Sequence, residues 1–336
     1  MESYNAYKAA AGLWKVISPI FIVLGNAGNV LVIIVLMKQR SNRSATSTYL
    51  SALALSDILA LDTGLVRQWV KYTFAFDIRT DHTEMGCRFH WFIVYLVTQF
   101  SSWMLACVTC ERFILTWKPH RKDRFCNKQS SIIVVIVIFV CLIMLNGHYL
   151  FGYGHVYIDS DNTTIVQKCI PITDNYDSFI LYTWTWIDLA IFYLIPMLIL
   201  GVGNSLIAYK VLASNRRAKR TVAPANGAST TTTSVTRVSN LTKSLMFVCV
   251  VFMICITPIV VFPIGQPYWE RGATDKKLAD MFLIETIANL LMYLNHSINF
   301  LLYFLSGTVF RNSVKMMFCG RRASINSVSQ TMAIQE

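Results

Sequence analysis

Charge is scarce in this chain of 336 residues: Asp, Glu, Lys and Arg make up 14%, against 54% hydrophobic residues. Soluble domains carry about a quarter charged residues, so composition points to a membrane protein. Acid is scarcer than base, 18 residues against 30. No internal repeat is present, which argues against a transporter built from paired halves. No selectivity segment or ring of like charge suggests an ion channel. His82, His90, His120, His148, His155 and His296 are scattered over both faces and several depths. They form neither a metal cluster nor a triad, and no enzyme is expected.

What is present is apolar length. Seven stretches, at roughly 13–37, 48–72, 88–115, 131–152, 180–211, 240–265 and 281–305, are near or above the ~20 residues that cross a bilayer. A lipid-exposed span must satisfy its own backbone polar groups, so each is expected to be a helix. The first is too long, and lacks the small-residue site, for a cleaved signal peptide. With residues 1–12 outside, 20 of the 30 basic residues fall on the cytoplasmic side, including Lys38, Arg40, Arg43, Arg121, Lys122 and Arg124. About 14 of the 18 acids lie at the outer side. The net charge of +12 therefore reads as topology and contact with anionic lipid, not as nucleic-acid binding.

Cysteine fits the same map. Seven of the nine (Cys107, Cys110, Cys126, Cys141, Cys249, Cys255 and Cys319) fall within spans or on the reducing inner side. Cys87 and Cys169 face the oxidising exterior, so topology pairs them. Asn162 heads a glycosylation sequon in the same outer loop. The stretch from Thr221 to Asn240 is of low complexity, and a flexible third intracellular loop is expected at about 213–239. Beyond the last span, 306–336 should form a short amphipathic helix 8 on the inner leaflet and a cytoplasmic tail, with Cys319 open to palmitoylation.

Polar residues inside the spans are the costly ones. Asp57 lies in the middle of the second span, with Asn29 in the first and Ser101 in the third at comparable depth. In the seventh, Asn295, Asn299 and Tyr303 recur every four residues and share a face. Amides beside one carboxylate resemble a small-cation site, with a sodium ion held at Asp57 and Ser101. The alternative is plain hydrogen bonding between helices. At the inner end of the third span Glu111 precedes Arg112, and the adjacent charges offset each other.

Together these residues resemble the rhodopsin-like (class A) G-protein-coupled receptors. The matching segments are "GNAGNVLV" around Asn29, "LALSD" ending at Asp57, Cys87 set 25 residues before Arg112, and Pro119 seven residues beyond it. Pro196, Cys255 to Pro258, and Asn299 to Tyr303 complete the set. The resemblance implies an all-α integral membrane protein, a seven-transmembrane helix bundle spanning 13–305 in the plasma membrane. It also implies an activation switch of Glu111, Arg112, Pro258, Asn299 and Tyr303, and a polar network of Asn29, Asp57, Ser101, Asn295, His296 and Asn299. Phe300, Ile256 and Phe113 depart from the family pattern, where proline, tryptophan and tyrosine are usual. His296 stands where serine is more common, and a protonated imidazole there could replace the cation at Asp57. The set is most similar to invertebrate neuropeptide receptors of the FMRFamide and myosuppressin kind.

The resemblance also narrows the ligand. Val94 stands where amine receptors carry aspartate, and Tyr293 where visual pigments carry the retinal lysine. Arg67, Gln68, Tyr95, Gln99, Asp188, Phe262, Glu285, Asn289 and Tyr293 are the candidate ligand-binding residues, with Trp184 and Trp186 as further aromatic contacts. Asp188 and Glu285 would hold a basic side chain of an extracellular peptide. A non-peptide small molecule is the alternative. A heterotrimeric G protein, arrestin and receptor kinases are the implied inner partners, with "RRAS" at Arg321 to Ser324 as a kinase site.

Overall fold

The computed structural model describes residues 2–38, 45–81, 83–160, 164–221 and 229–306. Among them seven helices are long and apolar enough to cross a membrane. They are α1 (Asn5–Lys38), α2 (Ala45–Phe74), α3 (Glu84–Trp117), α4 (Lys128–Gly152), α5 (Asp174–Thr221), α6 (Ser229–Trp269) and α7 (Asp275–Ser306). A hairpin of β1 (Tyr153–Ser160) and β2 (Thr164–Pro171) joins α4 to α5. Asn162, Cys319 and the expected helix 8 lie outside the described residues, as does the side chain of Tyr303.

Short polar signals start the helices. The Thr83 hydroxyl accepts from the Gly86 amide at 3.1 Å at the head of α3. Asn127 does the same for Ser130 at 2.8 Å before α4, and Thr173 for Tyr176 before α5. Each side chain satisfies an amide that the first helical turn leaves unpaired. Ala75, at φ 53°, ends α2 in the left-handed conformation. A π turn at Leu61–Leu65 interrupts α2, and two more, Phe179–Trp184 and Leu189–Leu194, interrupt α5. The second of these sits just before Pro196, whose ring lacks an N–H and crowds the carbonyl four residues back.

The bundle is apolar both in its core and on its outer face. On α4, Ile133, Ile136, Val137, Val140 and Met144 are exposed, a row of aliphatic side chains suited to lipid. α3 is central: Leu96, Phe100, Met104, Leu105 and Val108 form the core with Leu53 and Leu61 of α2, Phe192 of α5 and Phe252 of α6. α3 packs on α2, α4 and α5, while α1 closes against α2 and α7, and α6 against α5 and α7. α1 meets α7 so closely that a Cβ on Gly28 would lie 2.8 Å from Phe300. Small residues at such crossings let backbones approach, a source of stability that does not need water.

The structure adds three features. α1 begins at Asn5, so most of the expected extracellular N-terminus, 1–12, is helical. Helix covers much of the expected flexible loop at 213–239, running to Thr221 and restarting at Ser229. Residues 229–240 contain neither glycine nor proline, so nothing in them stops α6 from extending. The β1–β2 hairpin is new: it pairs Tyr153 with Pro171 and His155 with Cys169.

Candidate functional site

The outer face is held by one covalent bond and one charge cluster. Cys87 and Cys169 form the expected disulfide, with Cα atoms 5.8 Å apart, and it ties the head of α3 to β2. Between α2 and α3, Arg67 grips Asp77 with two hydrogen bonds, Nε to Oδ1 at 2.7 Å and Nη2 to Oδ2 at 2.6 Å. Lys71 lies 3.4 Å from the same carboxylate, and the Arg79 amide donates to it at 3.0 Å. Burial alone would raise the Asp77 carboxyl, but the Arg67 hydrogen bonds and charge outweigh it and hold the group at about 2.

Arg79 is itself buried. Its guanidinium lies 3.6 Å from the centroid of the Trp91 ring and donates to His90 Nδ1 at 3.1 and 3.0 Å. Arginine only donates, so His90 carries its proton on Nε2, which faces the Thr63 carbonyl at 3.1 Å within the π turn of α2. Burial, then the nearby Arg67 charge, push Arg79 down to about 9, still a cation at neutral pH. Arg67 was expected to face a ligand; the structure commits it to Asp77.

Below this cap, three helices are joined by polar groups. Gln99 of α3 is fully buried; its amide donates to Asp188 of α5 at 2.7 Å, and its carbonyl accepts from Asn146 of α4 at 2.7 Å. Among the described residues no lysine, arginine or histidine pairs with Asp188. Tyr95 stacks on Tyr149 at 4.7 Å and meets Trp184 edge-on at 6.3 Å, which gives this region an aromatic wall. Trp186 was expected to join it, yet it is 57% exposed on the outward side of α5. The 100° step per residue separates it from Trp184.

The other candidates are spread more widely. Asn289 donates to the Glu285 backbone carbonyl of its own helix at 3.0 Å, and both side chains are half-buried, as is Gln68. Tyr293 is buried, its hydroxyl filling the space a Cβ on Gly64 would take. Phe262 is buried with its ring edge-on to Trp269. A separate cleft of about 350 Å³ opens between the start of α1 and the end of α2, lined among others by Tyr7, Lys15, Lys71 and Asp77. None of the expected ligand residues lines it.

The midplane gathers the expected polar network around Asp57, which is fully buried. Its Oδ1 accepts from Ser101 at 2.7 Å and lies 2.8 Å from His296 Nδ1; its Oδ2 accepts from Asn299 at 2.6 Å. Asn29 reaches across from α1 to the His296 backbone carbonyl at 3.0 Å. Asn295 is buried on the same helix. Phe300, where the family has proline, leaves α7 helical through Ser306 and packs its ring on Val32, Leu36 and Ala54.

At the inner end Glu111 and Arg112 do not pair directly; they share one hydroxyl. Thr46 donates to Glu111 Oε1 at 2.8 Å and receives from Arg112 Nη2 at 3.4 Å. Beside Pro258, Tyr193 of α5 and Thr257 of α6 meet hydroxyl to hydroxyl at 2.7 Å. Thr46, Tyr193, Arg79 and Asn146 were not among the sequence candidates. Asn146 could have been found, because it is the one amide side chain between residues 131 and 152, near the end of a long aliphatic run. The others depend on which helices lie adjacent.

A seven-helix membrane bundle with a bridged outer face, a buried carboxylate at its midplane and Glu111 and Arg112 joined through Thr46 at its inner end is built as a transmembrane receptor. The family "7 transmembrane receptor (rhodopsin family)" matches residues 28–303. The chain belongs to that family, which consists of receptors rather than enzymes, and it is a multi-pass protein of the plasma membrane with its N-terminus outside. It is 24% identical to galanin receptor 2a of Danio rerio, over 96% of this chain and 84% of that protein. It is also 24% identical to neuromedin-U receptor 2 of Homo sapiens, over 85% of this chain and 66% of that protein. Growth hormone secretagogue receptor type 1 of Homo sapiens is 26% identical over 90% and 80% respectively.

Proposed function

We propose that this receptor binds an extracellular peptide that presents a basic group, and that binding activates a heterotrimeric G protein. The observation that carries the proposal is Asp188: a carboxylate bonded to the neutral amide of Gln99, with the aromatic wall of Tyr95, Tyr149 and Trp184 beside it. A carboxylate in a low-dielectric bundle needs a counter-charge or a proton. A guanidinium or amine from a peptide supplies that charge, and aromatic faces add cation–π attraction. The names galanin, neuromedin-U and thyrotropin-releasing hormone among the similar receptors support a peptide over a non-peptide small molecule. An amidated C-terminus on that peptide belongs to the same proposal; it rests on the sequence resemblance to FMRFamide and myosuppressin receptors, which are not among these relatives.

The mechanism is a shift of population. The ligand binds one arrangement of the helices better than the other, and the difference in affinity drives the change. α6 swings near Pro258, whose missing N–H weakens the helix there. The Tyr193–Thr257 contact spans the hinge and must rearrange. Arg112 then leaves the Thr46 hydroxyl and faces the cleft that receives a G-protein helix, with Tyr303 following on α7. Arrestin and receptor kinases act on the same inner face, and the basic inner loops contact membrane lipid.

The test is a panel of amidated and free-acid peptides on cells carrying the receptor, with separate calcium and cyclic-nucleotide readouts. A basic peptide should signal, and Asp188→Asn should cut its potency by about tenfold or more, the scale expected for losing a desolvated charge pair. Unchanged potency in both Asp188→Asn and Glu285→Gln would defeat the assignment of these acids.

A further inference from the structure

The family resemblance implies a sodium ion at Asp57 and Ser101, and the residues around that carboxylate do not fit one. A hard cation takes oxygen ligands at roughly 2.0–2.6 Å. At about 2.4 Å, the distance suited to an ion of sodium's size, two ligands at a right angle stand about 3.4 Å apart. His296 Nδ1 lies 2.8 Å from Asp57 Oδ1, which is hydrogen-bond distance and leaves no room for an ion between them. Imidazole nitrogen is also a poor ligand for hard cations, which prefer carboxylate, carbonyl and water. The other groups that face Asp57 present protons, Ser101 Oγ to Oδ1 and Asn299 Nδ2 to Oδ2. Both carboxylate oxygens are therefore already engaged.

His296 is also fixed in place from behind. It is 1% exposed, its carbonyl is held by Asn29, and the next residue, Ser297, donates to the Tyr293 carbonyl and to Phe21 of α1. A Cβ on Gly25 would meet the Ser297 backbone at 3.0 Å, so α1 lies directly against this turn of α7. The ring is thus buried on a turn of α7 whose backbone is tied to α1.

We propose that the His296 side chain is a built-in replacement for the cation, and that this receptor neither binds nor responds to sodium at Asp57. The link from α2 to α7 is then a permanent Asp57–His296 hydrogen bond rather than an exchangeable ion. Removing the ring should re-create an ion cavity bounded by Asp57, Ser101 and Asn299.

The experiment follows thermal unfolding of the full-length receptor in detergent, comparing sodium chloride with choline chloride at equal ionic strength. Wild type should show no sodium-specific shift. His296→Ser should gain a saturable sodium-specific rise, about 3 °C at tenfold excess over the dissociation constant, and adding Asp57→Asn should remove it. A saturable sodium shift in wild type that Asp57→Asn abolishes would overturn the proposal, and this arm needs no His296 variant to fold. A folded His296→Ser that stays indifferent to sodium would also overturn it, since the ring would then not be what excludes the ion. If the serine variant fails to fold, His296→Asn takes its place: a sodium-specific rise supports the proposal, and indifference to sodium overturns it.

Discussion

Changing Asp77 to asparagine keeps the shape of the outer cap and removes the negative charge that Arg67 and Lys71 pair with. The stabilisation at stake follows from the carboxyl itself. Its fall from 3.8 to about 2, at about 1.4 kcal/mol per unit, corresponds to about 2.5 kcal/mol. The side chain is 10% exposed, so solvent screens little of this. Breaking a buried ion pair from one side costs about 3–5 kcal/mol, because the partner charge is left uncompensated. Asp77→Asn should therefore cost about 2–5 kcal/mol, and lower the melting temperature by about 5–15 °C.

The pH dependence has a definite sign. The folded-state value is depressed, so the contribution is complete above about pH 4 and is lost as pH falls toward 2. Wild type should lose stability across that window, and Asp77→Asn should lose less. The assay is the fluorescence melting of detergent-solubilised protein at neutral pH and through the acid range. A double variant, Arg67→Met with Asp77→Leu, should recover much of the loss, as apolar replacement of a buried pair often does. A drop of under about 1 °C for Asp77→Asn at neutral pH, or an acid slope equal to that of wild type, would refute the reasoning.

Further outcomes follow from other contacts. Cys87→Ser opens a bridge between residues 82 apart and should cost about 2–5 kcal/mol, read as a lower melting temperature together with faster proteolysis within the β1–β2 hairpin. Gly64→Ala places a Cβ against the Tyr293 hydroxyl and should destabilise by about 1–3 kcal/mol, a loss that Gly64→Ala with Tyr293→Phe partly restores in the same melting assay. Phe300→Pro restores the family residue but removes ring packing on Gly28 and Val32; melting should fall. Adding Asn29→Ala should make the loss more than additive, because the His296 carbonyl then has neither its helical N–H nor the Asn29 amide.

Much of the fold was legible because lipid simplifies the sequence code. A span must be long, apolar and helical, so the seven segments appear in composition alone, and the cysteine pair follows once the faces are known. Asp57, Ser101, His296 and Asn299 were legible for the same reason: polar groups in hydrocarbon are costly and must find each other. The outer cap was not. Arg79 and His90 look like ordinary loop and interfacial residues, and only the turn from α2 to α3 brings guanidinium, imidazole and Trp91 together. The hairpin escaped because β-branched alternation over eight residues is a weak signal beside helices three times longer. Arg67 was assigned to a ligand because its partner lies ten residues away across a turn, where helical spacing gives no guide.

Ligand and output meet in one proposal: a cationic peptide at Asp188 drives nucleotide exchange through Arg112. It is tested by measuring that exchange on a purified heterotrimeric G protein, with the receptor in lipid nanodiscs and challenged with basic amidated peptides. Exchange should rise with at least one peptide, shift to higher concentration in Asp188→Asn, and vanish in Arg112→Ala while peptide binding persists. No exchange with any basic peptide, or exchange that Arg112→Ala leaves intact, would contradict it.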